Sequence, residues 1–194
     1  MTARIVDLTP ELLDDAAGVH LEAFRGYMNA RLGRGYAKAF LRWFSRAPHG
    51  VALAALENGK LAGYVVGAPA GYDRGMSRAL IWVVARAFAL RPWLLFERRF
   101  LQRIALRARP APPRAADAAK IMSLVGIGVA EAGRGSGIGR LLMEEFERRA
   151  RALGMTAMRL SVYTDNDRAR RLYERAGWIV ERTEPNALYY RRDL

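Results

Sequence analysis

The stretch Val129-Ala130-Glu131-Ala132-Gly133-Arg134-Gly135-Ser136-Gly137-Ile138-Gly139-Arg140-Leu141-Leu142 constrains this chain more than any other. It joins an apolar run, Ile121 to Val129, through a glycine-dense turn to an amphipathic segment, Ile138 to Leu153. The pattern predicts a strand, a loop of nearly bare main chain, and a helix. The first N–H groups of a helix have no partner inside it, and the helix dipole makes that end electropositive. Glycines let a ligand come close to the main chain. The loop is therefore suited to phosphate oxygens, and the chain is expected to bind a phosphate-bearing ligand.

Spacing narrows the choice of ligand. A P-loop needs Lys followed by Ser or Thr after its last glycine, where this chain has Arg140 and Leu141. The dinucleotide pattern G-x-G-x-x-G also fails: its third position falls on Ile138 counting from Gly133, and on Arg140 counting from Gly135. What remains, Arg134-x-x-Gly137-x-Gly139, resembles the R/Q-x-x-G-x-G/A loop of the GNAT superfamily of acyl-CoA-dependent N-acyltransferases. A second block follows in order. Ala157 to Tyr163 alternates as a strand, and Thr164, Asp165, Asn166 and Asp167 are good helix N-caps. Arg168 to Ala176 reads as a helix stopped by Gly177, with Trp178 just beyond. The string Asn166-x-x-Ala169-x-x-x-Tyr173-Glu174-x-x-Gly177-Trp178 resembles the N-x-x-A-x-x-x-Y-x-x-x-G-F block of the same superfamily, with Trp in place of the usual Phe. Two motifs, correctly ordered and separated by one helix and one strand, identify the chain as a member of the GNAT superfamily. The resemblance is densest over residues 120–178, extends to 1–70, and says little about 71–116.

The resemblance implies an α/β fold, a mixed and mostly antiparallel sheet flanked by helices, with 1–194 forming one acyltransferase domain. The order of elements agrees. Arg4 to Leu8 reads as a strand, and Thr9 with Pro10 opens a helix running to about Phe24. A second helical stretch carries Leu32, Tyr36, Phe40, Leu41 and Phe44 on one side, interrupted by Gly33 and Gly35. Val51–Leu56 and Leu61–Val66 are strands joined by Glu57-Asn58-Gly59-Lys60, a strong hairpin signal. Closing strands are expected near Trp178–Arg182 and Leu188–Arg192. Residues 71–116 would be a helical, arginine-rich insertion before the fourth strand, with helices at about Met76–Leu90 and Trp93–Ala108 and a stiff return at Arg109-Pro110-Ala111-Pro112-Pro113.

The resemblance also implies the site. Acetyl-CoA is the expected acyl donor, with no metal. Ile127, Gly128 and Val129 would hold the pantetheine arm of coenzyme A on exposed main chain, one amide polarising the thioester carbonyl. Arg134, Gly135, Ser136, Gly137, Ile138 and Gly139 would wrap the pyrophosphate. Asn166 and Ala169 would lie along the pantetheine, and Tyr173 would protonate the departing thiolate. The residues themselves read compatibly. A phenol with an ordinary pKa near 10 is close in acidity to an alkyl thiol. A lone helical tyrosine otherwise packs in a core, and Asn166 is also an N-cap. Gly126 and Gly128 flank Ile127, and glycine inside a strand marks a bulge or a close approach. Arg168, Arg170 and Arg171 either reach phosphate oxygens or form a solvated helix face.

Three departures stand out. Glu131 replaces a common proline, and Gly133 a common bulky residue. Many members carry a Glu or Asp base on the fourth or fifth strand. Here Ile121–Val129 has none and the Ala157 strand offers Ser161 and Tyr163, which leaves Glu22, Asp73, His20 or a water chain as outside candidates.

Composition bounds the rest. There is no cysteine, and with only His20 and His49 a histidine-rich metal centre is implausible. The N-terminus has no apolar secretory core and no run of about 18 apolar residues occurs, so a cytoplasmic location is expected. Net charge is +13, and of the 32 basic residues only Lys38, Lys60 and Lys120 are lysines. Ten arginines against the single acid Glu97 fall between Arg74 and Arg114, with Arg99, Arg103 and Arg107 at helical spacing. That segment is a solvated arginine face, an anionic-acceptor site, a peripheral membrane contact or a subunit interface such as a homodimer's; no nucleic-acid partner is expected. The expected activity is transfer of acetyl from acetyl-CoA to a primary amine by direct attack in a ternary complex. The acceptor stays open: an anionic amino-sugar nucleotide, a peptide N-terminus or another small amine, with polycations disfavoured by charge. The alternative is a catalytically idle acyl-CoA-binding module that contacts an anionic membrane or partner through the basic segment.

Overall fold

Alternation in the strands sorts the apolar residues onto two faces, and each face finds its own helices. The computed structural model of the chain describes residues 3–96 and 120–194. Seven strands form one sheet: β1 (Arg4–Asp7), β2 (Val51–Glu57), β3 (Lys60–Pro69), β4 (Ile121–Val129), β5 (Ala157–Tyr163), β6 (Ile179–Glu184) and β7 (Ala187–Asp193). Their order is β1-β2-β3-β4-β5-β7-β6, antiparallel throughout except for the parallel pair β4–β5. The helices are α1 (Leu13–Ala23), α2 (Met28–Arg31), α3 (Arg34–Arg46), α4 (Asp73–Leu90), α5 (Ile138–Ala152) and α6 (Asp167–Arg175).

Val51, Leu53 and Ala55 of β2 and Val65 of β3 pack with Leu142, Phe146 and Ala150 of α5. The alternate residues Ala54, Tyr64, Val66 and Ala68 pack on the other face with Leu13 and Ala17 of α1 and Phe40 and Phe44 of α3. Strands covered on both sides read as near-continuous apolar runs, which is why β2 and β3 were legible as strands. Asn58 (φ 51°) and Gly59 (φ 74°) both take the positive φ that a type I′ hairpin turn demands. Gly33, at φ 90°, separates α2 from α3 where the glycine pair was expected to interrupt the second helical stretch.

Two expectations are refined. Pro10 opens a 3₁₀ turn over Pro10–Leu12, with α1 beginning at Leu13, and the Thr9 side chain makes no capping bond. The first inserted helix is longer than expected, Asp73–Leu90, and packs on α3 through Leu80 while Ala87 meets Leu32. Beyond it Pro92–Phe96 forms one 3₁₀ turn. The rest of the expected second helix, with Arg99, Arg103 and Arg107, lies outside the described residues. Among those described, no helix is long and apolar enough to cross a membrane.

The element that positions the site is the junction of β4 and β5. They pair only at Ile121–Ala157, Met122–Met158 and Ser123–Arg159. Beyond these three rungs the strands diverge, and a cleft opens between them. A register shift supports the divergence: Val66 faces Gly126 but Gly67 faces Leu124, so Val125 is an extra residue bulged out of β4. The bulge thus sits beside Gly126. Gly128 has a different reason: a Cβ there would lie 2.7 Å from the Tyr64 ring.

Candidate active site

The loop after β4 has the geometry its glycines suggested. Gly135 and Gly137 both sit at φ 88°, in the left-handed region that favours glycine, and Gly137 is the N-cap of α5. The loop folds on itself through a 3₁₀ turn over Glu131–Gly133 and the bond from Arg134 N–H to the Glu131 carbonyl. Arg140 and Leu141 donate to the Gly137 carbonyl. Among the described residues, no main-chain bond uses the N–H of Gly135, Gly137, Ile138 or Gly139. Four donors are thus left at the positive end of a long helix. Ser136 is the exception among the expected loop residues: its hydroxyl donates to the Gly133 carbonyl at 2.7 Å, and its N–H points to the same oxygen.

These donors line one end of a cleft of about 1670 Å³ that continues through the β4–β5 gap. Of the expected residues, Ile127, Gly128, Val129, Arg134, Gly135, Gly137, Ile138, Gly139, Asn166, Ala169 and Tyr173 all line it, and Ser136 alone does not. Helix α6 presents Ala169 and Tyr173 to the cleft because Asn166 starts the helix and Gly177 stops it. The Asn166 carboxamide oxygen accepts from Ala169 N–H at 3.1 Å, an N-cap. At the other end Gly177 (φ 78°) and Trp178 donate to Glu174 and Tyr173 carbonyls, a Schellman turn. The Asn166 amide group also donates to the Tyr27 hydroxyl at 3.0 Å, a second bond from the capping side chain.

Tyr173 is 6% exposed, packed between Trp178 and Tyr190 at ring distances of 6.0 and 5.9 Å. Burial, reinforced by Tyr27 and Tyr190 nearby, pushes its phenol well above the ordinary tyrosine range. The hydroxyl therefore stays protonated at neutral pH, ready to donate, though less closely matched to a thiol than an unperturbed phenol.

The outside candidates for a base do not line the cleft. The Glu22 carboxylate accepts from the Glu131 N–H on the far side of the loop. His20 is 1% exposed with Nδ1 2.6 Å from the Tyr64 hydroxyl, and burial holds it down at about 4. Asp73 is the exposed first residue of α4. The cleft's own carboxylates are Glu144, Glu147 and Glu184. Glu144 is bound to Arg140 and Glu147 to Arg151 and Arg192, while Glu184 meets Arg182 and the Tyr189 hydroxyl, each at 3.2 Å.

Sequence reasoning missed Tyr27, Glu184 and Arg175 as lining residues, while Tyr163 and Ser161, the residues the fifth strand offered, both line the cleft. Tyr27 lies in a helix link and Glu184 beside Pro185-Asn186 in a turn. Only their proximity to Asn166 and to β5 gives them meaning, and no local pattern encodes that. Arg168, Arg171 and Arg175 do carry a local signal, since the spacing i, i+3, i+7 puts them on one face of α6. All three line the cleft, and no ion pair among the described residues engages them.

The acetyltransferase (GNAT) family model matches residues 19–178, and the chain belongs to that family. Solved structures of similar fold include an acetyltransferase of the same family from Kribbella flavida, 18% identical, with TM-score 0.66 over 99% of this chain and 98% of that one. PaiA N-acetyltransferase from Thermoplasma acidophilum, in complex with coenzyme A, is 14% identical with TM-score 0.66 over the whole of both chains. Ard1 from Thermoplasma volcanium is 16% identical, with TM-score 0.64 over 100% and 99% of the two chains. At these identities the likeness is one of fold. No curated relative matches the chain in sequence.

Proposed function

We propose that the protein is an N-acetyltransferase that moves an acetyl group from acetyl-CoA to a primary amine by direct attack in a ternary complex. One observation carries this: four free N–H donors at the start of α5 and the Tyr173 hydroxyl line the same cleft, at the two sides of the gap where β4 leaves β5. Gly135, Gly137, Ile138 and Gly139 would receive the pyrophosphate, and Arg168, Arg171 and Arg175 add charge for the phosphates. Ile127, Gly128 and Val129 offer the main chain of a strand edge that β5 has vacated, and one of their amides would stabilise the carbonyl oxygen as charge builds there. Bound acetyl-CoA supplies an activated thioester. Tyr173 gives its proton to the sulfur as the carbon–sulfur bond breaks, and its raised pKa keeps that proton in place until then.

Tyr173→Phe tests the reading, because it keeps the ring and its packing. Calorimetry should give nearly unchanged acetyl-CoA affinity, and thiol release with an accepting amine should slow by roughly 10²-fold or more. Wild-type turnover in a folded variant would make Tyr173 a packing residue only. Coenzyme A binding by the wild-type protein without turnover of any amine would favour the idle-module alternative, in line with the cleft carboxylates among the described residues each being engaged by an arginine.

A further inference from the structure

The arginines that line the cleft are gathered at one end. Arg134 and Arg140 flank the glycine loop, Arg168, Arg171 and Arg175 line the α6 wall, and Arg192 stands between Glu147 and the end of α6. Across the β4–β5 gap the lining changes character. The α1–α2 link contributes Phe24 and Tyr27, β5 contributes Ser161 and Tyr163, and the β6–β7 hairpin contributes Glu184 and Tyr189. No arginine or lysine lines this end among the described residues.

Three of the aromatic residues form a continuous wall. Phe24 meets Tyr27 edge-on at 5.5 Å, and Tyr27 meets Tyr163 at 5.0 Å. Tyr163 pairs with Ala187, which pairs in turn with Glu184, so the carboxylate belongs to the same surface. Ser161 stands opposite Tyr189 in the same ladder. Arg182 is taken up by neighbours: it lies 3.9 Å from the Tyr189 ring centroid and 3.2 Å from Glu184, and it does not line the cleft. The wall also touches the reacting centre, since Tyr27 receives the Asn166 hydrogen bond at the head of the helix that bears Tyr173.

We infer that the acceptor is a primary monoamine carried on an aromatic or flat apolar body, which stacks on Phe24, Tyr27, Tyr163 and Tyr189 and is drawn in as an ammonium by Glu184. This rests on the acyl-transfer reading above. Ring faces attract both flat apolar groups and cations, and the half-buried Glu184 carboxylate, already 3.2 Å from Arg182, would take the ammonium as a second partner. An anionic amino-sugar nucleotide would find no lining cation at this end among the described residues and would face Glu184, while a polyamine would bring several charges against the chain's +13. In the step itself the bound ammonium first loses one proton to water, and the neutral amine nitrogen then bonds to the acetyl carbon as the carbon–sulfur bond breaks. The thiolate takes the Tyr173 proton, and the second proton lost by nitrogen returns through water to the Tyr173 phenolate, so ammonium and thioester become amide, thiol and one released proton.

The test uses the full chain with acetyl-CoA and four acceptors: phenethylamine, tryptamine, a uridine-diphosphate-linked amino sugar and spermidine. Thiol release should give the two aromatic monoamines a kcat/KM at least about tenfold above the other two, a gap of about 1.4 kcal/mol. Glu184→Gln should raise KM for phenethylamine by roughly tenfold, with the loss falling on KM rather than kcat and coenzyme A affinity unmoved. Tyr163→Ala should raise KM for the aromatic amines and leave any turnover of the anionic sugar unaffected. Preference for the anionic sugar or for spermidine, or an unchanged KM in a folded Glu184→Gln protein, overturns the assignment of the acceptor while leaving acetyl transfer intact. Failure to bind coenzyme A in calorimetry, or binding with no thiol release from any acceptor, instead removes the acyl-transfer reading and this inference with it.

Discussion

His20 is the one charged-capable side chain of the described core, and its surroundings explain its low basicity. It stacks on Phe24 at 4.8 Å, lies 5.5 Å from the Phe40 ring, and bonds through Nδ1 to Tyr64, with no partner for Nε2 among the described residues. Burial holds its pKa at about 4, below the ordinary 6.5. The folded protein thus keeps the imidazole neutral while the unfolded chain accepts a proton below pH 6.5. Stability from this residue is present above that pH and is lost as pH falls toward 4, by about 3 kcal/mol at most. Urea unfolding at pH 7 and pH 4.5 should show this loss, and His20→Gln, which retains a polar partner for Tyr64, should show a smaller difference between the two pH values. An equal drop in both proteins would assign the acid sensitivity to other groups. The same neighbourhood explains Gly128. Its place in the strand was visible in the sequence, but its cause, the Tyr64 ring 2.7 Å from where a Cβ would stand, was not.

At the level of elements, α6 shows which signals are local. Its cap, its stop and the residues between were readable because each acts within a few positions: Asn166 on Ala169, Gly177 on Glu174. The phosphate loop, the hairpin turn and β4 were readable for the same reason. The bond from Asn166 to Tyr27 was not, since the partners are 139 positions apart and only the sheet order brings them together. These two functions of Asn166 can be separated. Asn166→Ala removes the cap and the Tyr27 bond and should lower stability by about 1–2 kcal/mol. Asn166→Asp keeps an oxygen for Ala169 N–H and loses only the donor to Tyr27, so its urea midpoint should lie between wild type and Asn166→Ala. If Asp proves as damaging as Ala, the cap contributes little and the long-range bond dominates. The carboxylates that line the cleft were illegible from sequence for a related reason. Among the described residues they come from α5 and the β6–β7 hairpin, whereas the search by pattern looked along β4 and β5 and then to Glu22, Asp73 and His20.

For the molecule as a whole, the succession of elements along the chain was legible from alternation, turn signals and the two motifs, while the strand order in the sheet and the gathering of the lining arginines at one end of the cleft emerged only in the folded structure. The seven strands look like one sheet, yet the tie between β1–β4 and β5–β7 is only the three rungs from Ile121 to Ser123. Past those rungs each strand edge facing the gap lacks the neighbour that a sheet normally gives it. A donor whose extended arm lies in the gap would act as a surrogate strand, and the sheet would become continuous only while the substrate is present. Acetyl-CoA at about 100 times its Kd should then raise unfolding stability by about 2.7 kcal/mol. Hydrogen exchange should slow on both sides of the gap, at Leu124–Val129 and at Leu160–Tyr163. Protection confined to the glycine loop would mean that the ligand docks at the mouth without bridging the strands. In the bridged case the weakest seam of the sheet would also be the place of the proposed acetyl transfer, and release of coenzyme A would reopen that seam at every turnover.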